Sequence, residues 1–236
     1  TGHYAMLKEN KAGLTLNMPK DKTKDQTYFL YMLNQKIMEN LMFPLENIDK
    51  DQVKNIAKDF DLSIYEKKES MGICFIGKRD FSSFIKKYID TKPGKICDED
   101  GYMLGEHAGL FNYTIGQRKG IKIGGQKNYS EKPWFVLKKD VDKNILIISQ
   151  DHDRLFSTGK VGLENINWIQ GCPALEKVLK ARFRHGGKLI PVTIMQSDNK
   201  YYLNLSERER AITPGQSAVL YDEEECVGGA IISYVC

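Results

Sequence analysis

Phe29, Leu33, Ile37 and Leu41 recur every four residues, with Leu30 widening the apolar stripe and Pro44 closing it. That period predicts an amphipathic helix whose striped face is buried. A second helix is predicted after Asp49, the N-cap, with Gln52 three residues on at the spacing of a capping box. Its apolar positions Val53, Ile56, Ala57 and Phe60 follow the i, i+3, i+4, i+7 rule and read as core. A third helix begins near Asp80, carries Phe81, Phe84, Ile85 and Tyr88 on one face, and ends before Pro93–Gly94. Beyond Gly94 the helical period vanishes and glycines cluster up to Gly125. Trp134–Leu137 and Ile145–Ile148 read as a hairpin turning at Asp140–Asn144. Further on, Leu179, Ala181 and Phe183 alternate with Lys180, Arg182 and Arg184, so one strand face is apolar and the other carries three positive charges. Strand-like runs follow at Ile190–Ile194, Tyr202–Leu205, Ala218–Tyr221 and Ala230–Tyr234, and short strands at this spacing predict a small barrel.

Composition adds limits. With 41% hydrophobic and 28% charged residues, the chain has material for real cores and is not a disordered segment. No apolar run approaches the ~20 residues that span a bilayer. The opening TGHYAMLKEN lacks the charged start and apolar stretch of a signal peptide, so no membrane partner is expected. It also lacks an initiator methionine, which reads as a fragment beginning inside a fold. The cysteines at 74, 97, 172, 226 and 236 are odd in number, scattered and without CxxC spacing. A disulfide framework and a metal site are therefore not expected, and a reducing, cytoplasmic compartment is. The net charge of +4 comes from the middle of the chain, where residues 78–160 hold 16 Lys/Arg against 11 Asp/Glu. A basic middle fits a polyanionic partner, and equally a solvated lysine-rich surface.

Four places carry candidate chemistry. The Lys180/Arg182/Arg184 face suits phosphate oxygens, because guanidinium forks match them, although solvated strand faces share this composition. YTIGQRKGIKIGG at 113–125 sets Arg118, Lys119 and Lys122 among four glycines, a backbone able to approach an anion or a plain turn-rich segment. TPGQSAVLY at 213–221 is a Pro-Gly turn entering a strand, with Gln216 just past the turn. Cys74 lies in the apolar run Ile73–Ile76 between Gly72 and Gly77. It reads either as a buried small hydrophobe or, with Lys67, Lys68, Lys78 and Arg79 nearby, as a nucleophile. No Ser-His-Asp set or paired catalytic carboxylates stand out.

Taken in order, TGHYA at 1–5, KDQTYFLY at 24–31, SMGICFIG at 70–77, GEHAGLFNYTIGQRKGIKIGG at 105–125, PWFV at 133–136 and TPGQSAVLY at 213–221 closely resemble the tRNA-specific 2-thiouridylases. The resemblance runs over essentially the whole chain. It implies an α+β multidomain fold: the helical remainder of an α/β ATP-pyrophosphatase-type domain (1–77), a small central β domain (78–157) and a C-terminal β-barrel like those of translation factors (158–236). It implies sulfur transfer to the C2 position of the wobble uridine, U34, in the anticodon region of tRNA. ATP, with Mg, activates the base, and a cysteine persulfide loaded by a sulfur donor protein supplies the sulfur. On the same basis Cys74 matches the persulfide-bearing cysteine and Gly2 a glycine of the ATP site. His3, Lys24, Asp25, Gln26, Arg182, Phe183 and Gln216 match tRNA contacts. The family's SGGVDSS-type ATP loop and first catalytic cysteine do not occur here, so this chain alone is expected to be inactive. Two rival readings are a non-catalytic tRNA-binding module and a redox protein pairing Cys74 with Cys97.

Overall fold

The computed structural model describes residues 1–63, 65, 84–85, 87–89, 92–125, 128–157 and 159–236. In chain order its strands are β1 (Met6–Asn10), β2 (Gly13–Asn17), β3 (Gly94–Cys97), β4 (Met103–His107), β5 (Phe135–Asp140), β6 (Ile145–Ser149), β7 (Phe156–Ser157), β8 (Lys160–Trp168), β9 (Val178–Arg182), β10 (Ile190–Ser197), β11 (Lys200–Leu205), β12 (Glu209–Arg210), β13 (Ser217–Asp222) and β14 (Glu225–Val235). Helices α1 (Gln35–Met38) and α2 (Lys50–Asp59) lie before β3. The chain forms two compact units, one of residues 1–67 with 157–236 and one of residues 68–156.

In the first unit, six strands close a barrel in the order β14-β13-β9-β10-β11-β8, with β8 returning to β14. The expected alternation holds on β9. Leu179 and Ala181, followed by Phe183, point inward to a core shared with Val161, Val192, Ile194, Leu203, Ala218, Leu220 and Ile232. On β13 the intervening residues Val219 and Tyr221 are also fully buried. They pack against Leu16, Tyr31, Met38 and Phe43 of the N-terminal segment, which covers the barrel's outer face there. Hairpin β1–β2 extends the sheet, Leu16 pairing with Cys226 of β14. Close approach is built in at Gly229, where a Cβ would stand 2.6 Å from Cδ2 of Tyr31.

The stripe of Phe29, Leu33, Ile37 and Leu41 does not make one helix. The segment holds a 3₁₀ turn at Thr27–Phe29 and the single-turn α1, capped by Asn34. The cause is tertiary. Asn167 Nδ2 donates to the carbonyls of Tyr31 (2.7 Å) and Leu33 (3.0 Å), groups a helix would have needed. Tyr31 and Met38 become core instead, while Phe29 and Ile37 are exposed. The helix after Asp49 does form, Gln52 Oε1 accepting the Asp49 N–H at 3.0 Å. Its apolar stripe is not core, however: no residue of α2 is buried, and Phe60 is 74% exposed. Most of the third expected helix lies outside the described residues. Among the described residues no helix is long and apolar enough to cross a membrane.

The second unit is a four-stranded sheet, β4-β3-β6-β5, in which the expected hairpin β5–β6 forms and β3 runs parallel to β6. Ile96, Ile121, Val136, Leu146 and Ile148 make its core. His107, ending β4, is buried in its neutral form. Its Nδ1 accepts the Gly109 N–H at 3.0 Å, so the ring proton sits on Nε2, 3.2 Å from the Asn144 carbonyl. Burial holds its pKa below the ordinary 6.5. The unfolded chain therefore binds a proton more readily than the folded one, and stability falls as pH drops below about 6.5. Amide protection factors in β3 and β4, taken relative to the intrinsic exchange rate at each pH, are expected to fall between pH 7.5 and 5.5, and His107→Gln is expected to flatten that dependence.

Candidate nucleic-acid interface

A buried polar cluster of the first unit is centred on Asp25, in the Lys24–Gln26 loop. Asp25 Oδ1 accepts the backbone N–H (3.0 Å) and hydroxyl (2.7 Å) of Thr27, a turn that sets the loop's exit. Asp25 Oδ2 accepts from Arg182 Nη1 at 2.6 Å, side chains 2% and 12% exposed respectively. Because the Thr27 hydroxyl donates to the carboxylate, the Tyr221 hydroxyl, 3.1 Å away, donates to Thr27. Burial, above all, raises the Tyr221 pKa far beyond the physiological range, so it remains a donor. Its ring carries the Arg182 guanidinium at 5.3 Å from the centroid. Among the described residues Arg182 Nε has no hydrogen-bond partner.

Neighbouring segments are tied to this knot. Gln26 bonds Tyr4 twice, accepting its N–H through Oε1 (2.9 Å) and donating its own N–H to the Tyr4 carbonyl (3.0 Å). The TGHY segment is thereby held to the loop. Tyr28 donates its hydroxyl to the Ser217 carbonyl at 3.1 Å, one residue past Gln216, with the Phe183 carbonyl at 3.4 Å. Ser217 Oγ donates to the Tyr31 hydroxyl at 3.1 Å. Beside Tyr28, Phe29 is 57% exposed and packs on the exposed His185, ring centroids 4.5 Å apart and planes tilted by 34°.

The residues singled out by sequence thus fall as follows. Asp25 and Arg182 meet directly, Gln26 adjoins, and Gln216 stands half-buried beyond Gly215, which takes a positive φ of 85° to make the turn. Lys24 is half-buried. Phe183 turns its side chain into the barrel core and presents only backbone outward. His3 Nδ1 lies 2.8 Å from the Thr1 hydroxyl, and a Cβ on Gly2 would meet open space. The basic strand face is not an unpaired strip. Lys180 pairs with Glu223 (2.8 Å), Arg182 with Asp25, and Arg184 with Glu209 (3.0 Å). The Lys180 pair is exposed and worth little, so a phosphate can take the carboxylate's place. Arg118 and Lys122 line a cavity of about 290 Å³ with Trp134 in the second unit. Earlier in the same glycine-rich segment the Gly116 N–H is already given to the Val136 carbonyl. Cys74 lies outside the described residues. Of the other cysteines, Cys97 and Cys226 are buried and Cys172 and Cys236 exposed. Burial pushes the Cys226 thiol up to about 12, which removes its reactivity.

Sequence reading missed Phe29 and His185 as surface residues. Phe29 was hidden by its helical spacing, and the only available signal was the turn residues Gly186–Gly187 after His185.

Residues 1–78 match the family described as tRNA methyl transferase HUP domain, residues 82–150 the tRNA methyl transferase PRC-barrel domain, and residues 158–232 the aminomethyltransferase beta-barrel domain. The tRNA-specific 2-thiouridylase MnmA of Hahella chejuensis (strain KCTC 2396) is 41% identical over 240 residues, covering 100% of this chain and 65% of the relative. The protein of the same name from Francisella tularensis subsp. tularensis (strain WY96-3418) is 42% identical over 238 residues, covering 98% and 66%. The chain therefore spans just under two thirds of the length of these relatives.

Proposed function

The chain belongs to the tRNA-specific 2-thiouridylase family, and on that premise we propose that it is the tRNA-gripping part of an enzyme that places sulfur at C2 of the wobble uridine, U34. The observation that supports this most is the Asp25–Arg182 knot, which joins residues the resemblance names separately as tRNA contacts. Backbone and phosphate contacts from such a surface set the register of the RNA, while the target base leaves its stack to be modified. Cys74 carries the transferable sulfur as a persulfide received from a donor protein.

Of the described residues, Gly2 is the one the resemblance assigns to the ATP site. Gly2 has open space where a Cβ would stand, and no SGGVDSS-type loop occurs in the sequence. Among the described residues no cluster of His, Cys, Asp and Glu is placed to hold a metal ion. This chain alone is proposed to bind tRNA without thiolating it. Two measurements test the reading. The chain should bind tRNA with an affinity that falls steeply with salt, and a longer protein containing it should form 2-thiouridine with ATP and a sulfur donor. Binding without any thiolation by the longer protein would favour a pure tRNA-binding module.

A further inference from the structure

Phe29 is a large apolar ring left 57% exposed on a backbone that is otherwise firmly held. Thr27 is locked by Asp25 and Tyr221, Tyr28 by the Ser217 carbonyl, and Tyr31 by packing over Gly229. His185 arrives from another part of the chain, just past β9, and stacks on it at 4.5 Å with a 34° tilt. Tyr28 supports Phe29 edge-on, centroids 5.5 Å apart. One residue before His185, Arg184 keeps its side chain 48% exposed while bonded to Glu209. A rigid, exposed aromatic shelf beside a cation is the surface on which nucleic-acid bases stack, since every base offers a π-face.

We propose that Phe29 and His185 form a stacking site for one unpaired nucleobase of the bound RNA. The ring separation of 4.5 Å leaves no room for a base between them, which needs roughly 7 Å, twice the base-step rise. The base therefore extends the stack from outside. This assignment rests on the tRNA reading above and adds a contact to it: a loop base captured next to the Asp25–Arg182 knot.

The test is binding of the 236-residue chain to an anticodon stem-loop RNA and to versions with one abasic loop position each. Phe29→Leu keeps apolar bulk but removes the π-face and is expected to weaken binding by roughly 5- to 100-fold, with Phe29→Trp retaining it. Melting of both variants should match the parent chain, because Phe29 is exposed. One abasic RNA should lose as much affinity as Phe29→Leu and lose no more when the two are combined. If Phe29→Leu binds like the parent chain, or no abasic position couples to it, the shelf is wrong while the tRNA reading stands. If the parent chain shows no salt-dependent tRNA binding, both fall.

Discussion

Asp25→Ala is expected to destabilise the first unit by about 3 kcal/mol, the cost of leaving a mostly buried guanidinium without its carboxylate. The loss has several parts. Arg182 keeps its charge at 12% exposure, its Nε has no partner among the described residues, and both the hydroxyl and N–H of Thr27 lose their acceptor. Urea unfolding of this unit measures the change. Arg182→Met added to Asp25→Ala should recover part of it, since an apolar replacement of both charges removes the unpaired one. tRNA affinity should stay reduced in that double variant, because the 24–26 loop is no longer pinned to β9. A double variant that binds tRNA like the parent chain would separate the knot's structural role from any role in recognition.

Cys74→Ser, made in the longer protein, is expected to abolish 2-thiouridine formation while leaving tRNA affinity within about twofold. A serine hydroxyl cannot carry a transferable sulfur, and its pKa leaves no nucleophile comparable to a thiolate. The buried Cys226, its thiol raised to about 12, and the buried Cys97 cannot substitute. Cys226→Ala is the contrasting variant: it should preserve thiolation. Residual thiolation by Cys74→Ser above a few per cent would transfer the role to another cysteine.

The barrel was readable because its strands obey simple alternation. Leu179, Ala181 and Phe183 pointed inward as their spacing requires. The run Ala218–Tyr221 broke alternation for a reason that one sequence hides: Ala218 and Leu220 fill the barrel while Val219 and Tyr221 lie under the N-terminal segment. The helix read over Phe29–Leu41 failed because Asn167, more than a hundred residues away, takes two of its carbonyls. At Asp49 and Gln52 the signal was local, and the helix start came out where the capping box put it. Burial of that helix's stripe depended on tertiary partners and could not be read. The same distance effect governs the site. Asp25 and Arg182 lie 157 residues apart: Asp25 was named through the family resemblance and Arg182 also through the alternation of its strand, while their ion pair was visible only in the fold. His185 belonged to no motif, and Phe29, inside KDQTYFLY, was read only as part of a helical stripe.

Amide hydrogen exchange of this chain with and without tRNA tests the central claim most directly. Saturating tRNA is predicted to slow exchange in residues 24–31 and 183–186 and at Gln216, with the Asp25→Ala chain losing that protection. Saturable tRNA binding that leaves those segments unchanged and protects residues 113–125 instead would contradict the account.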